Sequence, residues 1–450
     1  MEVEDLKYKI EKNIPIILSM LVIIATLIIQ PTATQAEKGL DLDAESAILV
    51  DADTGKVLYS KDADTALPPA SMTKMMTEYL VWEAVESGDI SWDTKTEISD
   101  YPYGISADAS FSGVGLRQNV EYTVEELYEA MAINSDNATT IALAELISGS
   151  EGEFVKLMNE KGEEMGLPDF EFVNTTGLEN TSLGDNYPEG TDPEGTNLLS
   201  ARSAALLAYH LVNDYPESLE ISSIPETTFD DQTITNWNWM LPHDTTYLNQ
   251  FHYDGVDGLK TGFTELAGFC FTGTAEVDGK RLIAVVMKTD SEAERFKETA
   301  KLFDYGYDNF AVKELFPAGY QLKDEQSVPV TKGKQKSVEV ATKDAFEVPI
   351  KESDEEKFSM TYSYDKELLN KDGELTAPIE KGKKIGTAKL VYEDEKDAGY
   401  IFTDSKEATV DLIATDSVDK KNWFMNMLGV IGAFFKGLFT SIVDFVKGWF

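Results

Sequence analysis

One cysteine and three histidines are the whole supply of thiol and imidazole in 450 residues, and that shortage narrows the chemistry at once. The lone thiol, Cys270, allows no intramolecular disulfide and no cluster of thiolate metal ligands; within the apolar run "GFCFTG" it reads as a small core residue. His210, His243 and His252 stand in no recognisable triad context, and no Gly-x-Ser-x-Gly elbow is present, which removes the usual route to an activated serine. Positive charge is also scarce. Against 81 acidic residues there are 39 basic ones, a formal net charge of −42, which repels nucleic-acid phosphates and excludes DNA or RNA as a partner. Apolar residues make up 42% of the chain, so the charge is an acidic skin over an ordinary core rather than a sign of disorder. Self-repulsion of that size is tolerable where ions screen it, and the expectation is a salt-adapted protein.

What is present falls into four parts. Residues 13–29, "NIPIILSMLVIIATLII", follow Lys7, Lys9 and Lys12 and precede "TATQA", the pattern of an export signal with a small-residue cleavage site; residues 1–36 are expected to be that signal. Without a cysteine at the cleavage point a lipoprotein is excluded. An α+β domain is expected over residues 37–315. Its first sheet segment is the hairpin "SAILVDADTGKVLYS", turning at Asp53, Thr54 and Gly55, and its last is "GFCFTGTAEVDGKRLIAVVMK", turning at Asp278 and Gly279. Helices lie between: Thr123 and Glu126 form a capping box before "VEELYEAMAI", and the helix from Ala138 ends at Gly149. From 316 to 416 short β-like runs between charged turns ("SVPVTKG", "SVEVATK", "FSMTYSY", "ELTAPIEKG", "GTAKLVYE") predict a small all-β domain. Residues 417–450 carry an amphipathic helix whose Phe, Trp, Leu and Ile stripe faces away from Asn422, Lys436, Asp444 and Lys447. Its charges interrupt any 18-residue apolar run, so the helix is expected to lie in a membrane surface rather than cross it.

One stretch carries chemistry. In "LPPASMTKMMT" Ser71 and Lys74 are three residues apart behind Pro68 and Pro69, which puts them on one face of a helix beginning there. A buried amine near a second cation loses its proton more readily and can serve as the base a serine needs. Ser71, at the helix N-terminus, also offers its N–H to an oxyanion. A Ser-x-x-Lys alone is common by chance. Two further segments make it specific: "INSDNATT" places Ser135 and Asn137 in the break between two helices, and "GVDGLKTGFT" places Lys260, Thr261 and Gly262 on a strand where the glycine lets a substrate backbone come close.

In this order the three segments resemble the low-molecular-mass penicillin-binding proteins, the serine-type D-alanyl-D-alanine carboxypeptidases. The likeness extends over "ESAILVDADTGKVLYSKDAD", "TVEELYEAMAINSDNATTIALAE", "FVKLMNEKGEEMGLPDFEFVNTTGL" and "VDGLKTGFTELAGFCFTGTA", and on into the β domain and terminal helix. It implies a transpeptidase-like fold, an antiparallel sheet flanked by helices. It also implies that Ser71 is the acylated nucleophile, Lys74 its base, and Ser135 a proton relay to the leaving amine. Asn137 would hold the substrate amide, Lys260 and Thr261 the terminal carboxylate, and the N–H groups of Ser71 and Phe263 would form the oxyanion hole. The implied substrate is the peptidoglycan pentapeptide, from which the last D-alanine is removed, with β-lactams acylating the same serine. No metal or organic cofactor is called for. The expected location is the outer face of a membrane, with the β domain as a spacer.

Three features depart from the family pattern or leave rivals open. Asp136, the middle residue of Ser135-Asp136-Asn137, is the form seen in class A β-lactamases; those enzymes need a deacylating glutamate followed four residues later by asparagine, whereas Glu171 and Asn174 are three apart. "LGDNYPEGTDPEGTN", residues 183–197, reads as an insertion whose Asp185, Glu189, Asp192 and Glu194 are better taken as a solvated loop than as a cation site, and Ser203 stands where aspartate is frequent. The rivals are a D,D-endopeptidase, a class A-like β-lactamase and, outside enzymes, a peptidoglycan-binding surface protein.

Overall fold

The computed structural model describes residues 40–393, 399–402 and 408–421, with positions 427, 431, 432 and 437 beyond them. The chain divides into two units, Met1–Leu42 and Asp43–Phe450, and everything that follows concerns the second. The expected signal segment lies outside the described residues. So does most of the expected terminal helix; its four described positions are helical and exposed.

Five antiparallel strands form the central sheet: β1 (Ser46–Asp51), β2 (Val57–Lys61), β3 (Val256–Thr264), β4 (Gly268–Val277) and β5 (Lys280–Thr289), in the order β2-β1-β5-β4-β3. Both expected hairpins are present, with Gly55, Asp278 and Gly279 at positive φ in their turns. β1 is buried at all six positions, and a strand covered on both faces needs an unbroken apolar run rather than alternation. Ile48, Val50, Ile283 and Val285 pack into one core beneath the helical layer. Leu49 and Leu282 point the other way, against Gly306 of the last helix of the domain, Glu292–Asn309, where any side chain would overlap both leucines.

The helical layer is built on α1 (Lys74–Glu86), buried from Lys74 through Val81. A helix apolar nearly all round belongs inside a domain, and α1 carries its polar residues in with it. Next come α2 (Val124–Asn134), opened by the Thr123–Glu126 capping box, and α3 (Asn137–Ser148), closed by Gly149 in the left-handed conformation. α4 (Glu151–Met165) and α5 (Ala201–Asp214) complete the layer, and α6 (Glu292–Asn309) covers the opposite face of the sheet.

The second domain is all β, with a six-stranded sheet that includes Ser327–Thr331, Ser337–Thr342, Phe358–Tyr364 and Lys384–Tyr392, the segments the sequence picked out. Both of its expected edges move. Strand Ala311–Phe316 pairs with Phe346–Ile350, so this domain takes in residues from 311 rather than 316. Val418 and Lys420 bridge Ile379 and Gly333, and Val418 is buried in the β core, so residues 417–421 extend the domain instead of opening the terminal helix. Sequence alone also gave no hint of a strap from this domain to the first. Ile401 N–H donates to the Gly55 carbonyl, Val57 N–H to Gly399, and Arg202 Nη1 to the Tyr400 carbonyl, while Ile401 is fully buried in the core under the central sheet.

Candidate active site

Ser71 is not in the first turn of an α-helix. It lies in a separate 3₁₀ turn, Ala70–Thr73, and the α-helix begins at Lys74. Two prolines in succession deny the chain its first amide donors, and Ala70 enters the turn at φ +47, a left-handed conformation that a non-glycine residue holds only when its surroundings enforce it. Two glycines supply the enforcement. A Cβ at Gly177 would overlap the Ala70 carbonyl, and one at Gly262 would overlap the Pro69 carbonyl. The turn holding Ser71 is therefore gripped between the loop at 174–177 and β3. One close approach that Gly262 permits is that of the chain's own turn.

Lys74 is fully buried. Its Nζ lies 2.9 Å from Ser71 Oγ, 2.8 Å from Asn137 Oδ1 and 3.1 Å from the Thr176 carbonyl. Asn137 Nδ2 donates to the Ser112 carbonyl at 3.2 Å, which fixes Oδ1 as the side facing the lysine. Two of the three partners can thus only accept, and the third is a hydroxyl. An ammonium meets that set by donating to all three, and a neutral amine meets it with N–H bonds to Asn137 and Thr176 and its lone pair turned to the Ser71 hydroxyl. Burial pulls Lys74 well below the usual lysine range, and the neighbouring charge of Lys260 pulls it further. Asn137, expected as a substrate ligand, is in the free protein hydrogen-bonded to Lys74.

Ser135 caps α2 in the left-handed conformation, φ +61, between the two helices as expected. Asp136 accepts from the Thr139 and Val114 N–H groups and is wholly buried, so its work is to hold the loop. Lys260, Thr261, Gly262 and Phe263 lie on β3, opposite Thr272, Phe271, Cys270 and Phe269 of β4. As the last strand of the sheet, β3 has one free edge, and Thr261, Gly262 and Phe263 line a cleft of 360 Å³ together with Ser71, Ser135 and Asn137. Lys260 is 2% exposed and makes no hydrogen bond or ion pair among the described residues. Ser71, Ser135, Asn137, Thr261, Gly262 and Phe263 are therefore brought to one cleft, with Lys74 buried against Ser71 and Asn137 and Lys260 next to Thr261 on β3.

Other members had no signal of their own. Arg295 lines the same cleft; its Nη1 donates to the Gly262 carbonyl and its Nη2 to Glu292, while Nε is buried without a partner. Burial lowers it to about 10. Asn197, the last residue of the 183–197 insertion, is buried: Oδ1 accepts from Val173 and Asn174 N–H, and Nδ2 donates to Thr73 Oγ1, tying the insertion to the turn that holds Ser71. A long-range polar tie of this kind leaves no periodic trace. The insertion's four acids are exposed. Glu171 is exposed in a two-residue strand pair, and Asn174 turns its carbonyl oxygen to Thr176 and Gly177, so the glutamate-asparagine arrangement of a class A β-lactamase is not formed.

Comparison with known proteins gives the same answer. Residues 31–291 match the family model described as D-alanyl-D-alanine carboxypeptidase, and residues 310–420 the one described as the C-terminal domain of penicillin-binding protein 5. D-alanyl-D-alanine carboxypeptidase DacF of Bacillus subtilis is 33% identical over 401 residues, 85% of this chain and 95% of its own. Penicillin-binding protein 3 of Streptococcus pneumoniae, described as a peptidoglycan synthesis regulatory factor, superposes with a TM-score of 0.66 at 36% identity, over 84% of this chain and 99% of that one. Penicillin-binding protein D2 of Listeria monocytogenes, solved in its ampicillin-bound form, superposes at 0.50 with 32% identity, over 60% of this chain and 98% of that one. With both of its domains matched, the chain belongs to the serine D-alanyl-D-alanine carboxypeptidase family.

Proposed function

We propose that this enzyme removes the C-terminal D-alanine from peptidoglycan pentapeptides through an ester on Ser71, and so limits cross-linking. The observation that carries the reading is the Lys74 amine, 2.9 Å from Ser71 Oγ with its remaining partners acceptors only. In the proposed sequence Lys74 takes the Ser71 proton as Oγ bonds to the penultimate carbonyl carbon. The resulting oxyanion is held by the N–H groups of Ser71 and Phe263; one such donor is typically worth about 10²–10³ in rate. As the C–N bond breaks, the proton passes by way of Ser135 to the amine, which departs as D-alanine. Water then cleaves the ester, and Ser71 is regenerated. An extended peptide suits the free edge of β3, and its terminal carboxylate suits Thr261 with the cations Lys260 and Arg295 at the end of the cleft. β-Lactams would enter the same path and stop at the ester.

Exposed Met427 and Ile431, four residues apart in helical conformation, support the reading of residues 422–450 as an amphipathic anchor on the outer membrane surface, reached after export through residues 1–36. No helix among the described residues is long and apolar enough to cross a membrane.

Mass spectrometry after incubation with benzylpenicillin tests the active site: one adduct is expected on the peptide bearing Ser71, none in folded Ser71→Ala, together with D-alanine release from a pentapeptide by the unmodified enzyme. An adduct elsewhere, or none on a folded and otherwise intact protein, would sink the proposal. Removing residues 422–450 should leave that labelling unchanged while moving the protein from the membrane to the soluble fraction; continued sedimentation with membranes would remove the anchor.

A further inference from the structure

Asn236-Trp237-Asn238 follows the hairpin strand Gln232–Thr235 and sets a large aromatic ring in the wall of the cleft. Both asparagines are buried and spend their side chains on backbone groups. Asn236 Nδ2 donates to the Ser222 and Ile224 carbonyls at 3.0 Å each, and its Oδ1 accepts from Asn238 N–H. Asn238 Nδ2 donates to the Gly258 carbonyl at 3.3 Å, and its Oδ1 accepts from Met240 N–H. Trp237 points out of this frame. Its Nε1–H donates to the Asn134 carbonyl at 2.9 Å, the residue is 42% exposed, and it lines the same cleft as Ser71, Ser135 and Thr261. With its one polar atom satisfied, the rest of the indole is an apolar surface offered to whatever enters.

Two of these ties say which part of the cleft the ring bounds. Asn134, the last residue of α2, immediately precedes Ser135, and Gly258 stands two residues before Lys260 on β3. Trp237 is therefore held at the end of the cleft that Ser135, Lys260 and Thr261 share, with Phe263 farther along the same strand. In the carboxypeptidase reading, on which this inference rests, Ser135 serves the departing amine and Lys260 with Thr261 the terminal carboxylate. The residue being released then spans that end, and the remainder of an extended peptide on the β3 edge leads away past Phe263. Size matters there: a terminal D-alanine brings one methyl group, whereas a cross-link places a whole second peptide on the leaving amine.

We infer that Trp237 is a specificity-determining residue: its ring walls the leaving-residue end of the cleft and confines the released group to one small D-amino acid, selecting terminal D-alanine over bulky leaving residues and cross-linked peptides. A wall of this kind discriminates by exclusion, the repulsive side of specificity. One methylene more or less against an apolar pocket is typically worth about 10–200-fold in kcat/KM, so a branched side chain meeting the indole falls at the upper part of that range.

The test compares kcat/KM for a peptide ending in D-Ala-D-Ala, the same peptide ending in D-Ala-D-Leu, and a purified cross-linked muropeptide dimer, using the wild type, Trp237→Ala and Trp237→Phe. The wild type is expected to release D-alanine at least about thirtyfold faster than D-leucine and to leave the dimer largely uncut. Trp237→Ala should gain about tenfold on both the D-leucine peptide and the dimer, whereas Trp237→Phe, which keeps a ring in place, should stay near the wild-type ratio. A gain on bulky substrates is a readout that a loosened fold does not give, since disorder at the site slows every substrate alike. No gain by folded Trp237→Ala, or a fall shared equally by the three substrates, overturns the inference. Should Trp237→Ala not fold, the wild type decides: release of D-leucine as fast as D-alanine, or cleavage of the dimer as fast as the D-Ala-D-Ala peptide, is fatal. Failure of the wild type to release D-alanine would count against the carboxypeptidase reading, whereas an active wild type without this selectivity would count against Trp237 alone.

Discussion

The proposed mechanism needs Lys74 without its proton and Lys260 with one at the same pH, and their surroundings pull both below the ordinary lysine range. The consequence for activity has a definite sign. As pH falls through the depressed value of Lys74 the base is lost, and as pH rises through that of Lys260 the carboxylate anchor is lost, so kcat/KM should be bell-shaped with its basic limb well below that of a free lysine. Lys74→Arg puts a group that does not give up its proton in the base's place, and general-base catalysis is typically worth about 10²–10⁴. Acylation by benzylpenicillin should fall by that much at every pH from 6 to 9; a variant whose rate recovers as pH rises would show that another base serves. These side chains were legible in the sequence because their chemistry sits in short motifs. Thr176, Asn197 and Arg295 were not, because each joins the site through a contact made only on folding.

At the scale of elements, hairpins and capped helices were readable wherever a turn or cap demands particular residues: Asp278-Gly279, the Thr123–Glu126 box and Gly149 all stand where their local chemistry put them. The 3₁₀ turn holding Ser71 was misread as α-helix because Pro68 and Pro69 announce a helix start without specifying its kind; contact with Gly177 and Gly262 decides that. The strap at 399–402 was invisible for a related reason, since its partners, Gly55, Val57 and Arg202, are distant in sequence. Ile401 is fully buried in the catalytic core, and a truncation of that size typically costs about 2–5 kcal/mol. Ile401→Ala, a change in the second domain, should therefore lower the denaturation midpoint followed by tryptophan fluorescence of the first, which holds Trp82, Trp92, Trp237 and Trp239. An unchanged midpoint would mean that the strap is not coupled to that domain's stability.

For the whole molecule the governing quantity is the net charge of −42. Ion pairs exposed on both sides, such as Lys156–Glu153 and Lys334–Asp419, contribute little each, and with 81 acidic residues against 39 basic ones the excess of carboxylates is left to repel itself. Salt should relieve that repulsion more than it weakens the pairs. The melting temperature is expected to climb between about 0.05 and 1 M NaCl, where the Debye length shrinks from above 10 Å to about 3 Å, and a flat dependence would dispose of the salt-adapted reading. This expectation comes from composition alone, since net charge depends on totals and not on placement.

The strap also bears on how such an enzyme can be taken apart. A fragment ending after Glu292–Asn309 has every motif residue, and on motif content alone it would be the natural choice for inhibitor screening. It would also carry an oily socket where Ile401 belongs and an unsealed β2 edge beside it, both inviting self-association. Anyone preparing protein for crystals or for antibiotic binding assays is better served by keeping the two halves joined.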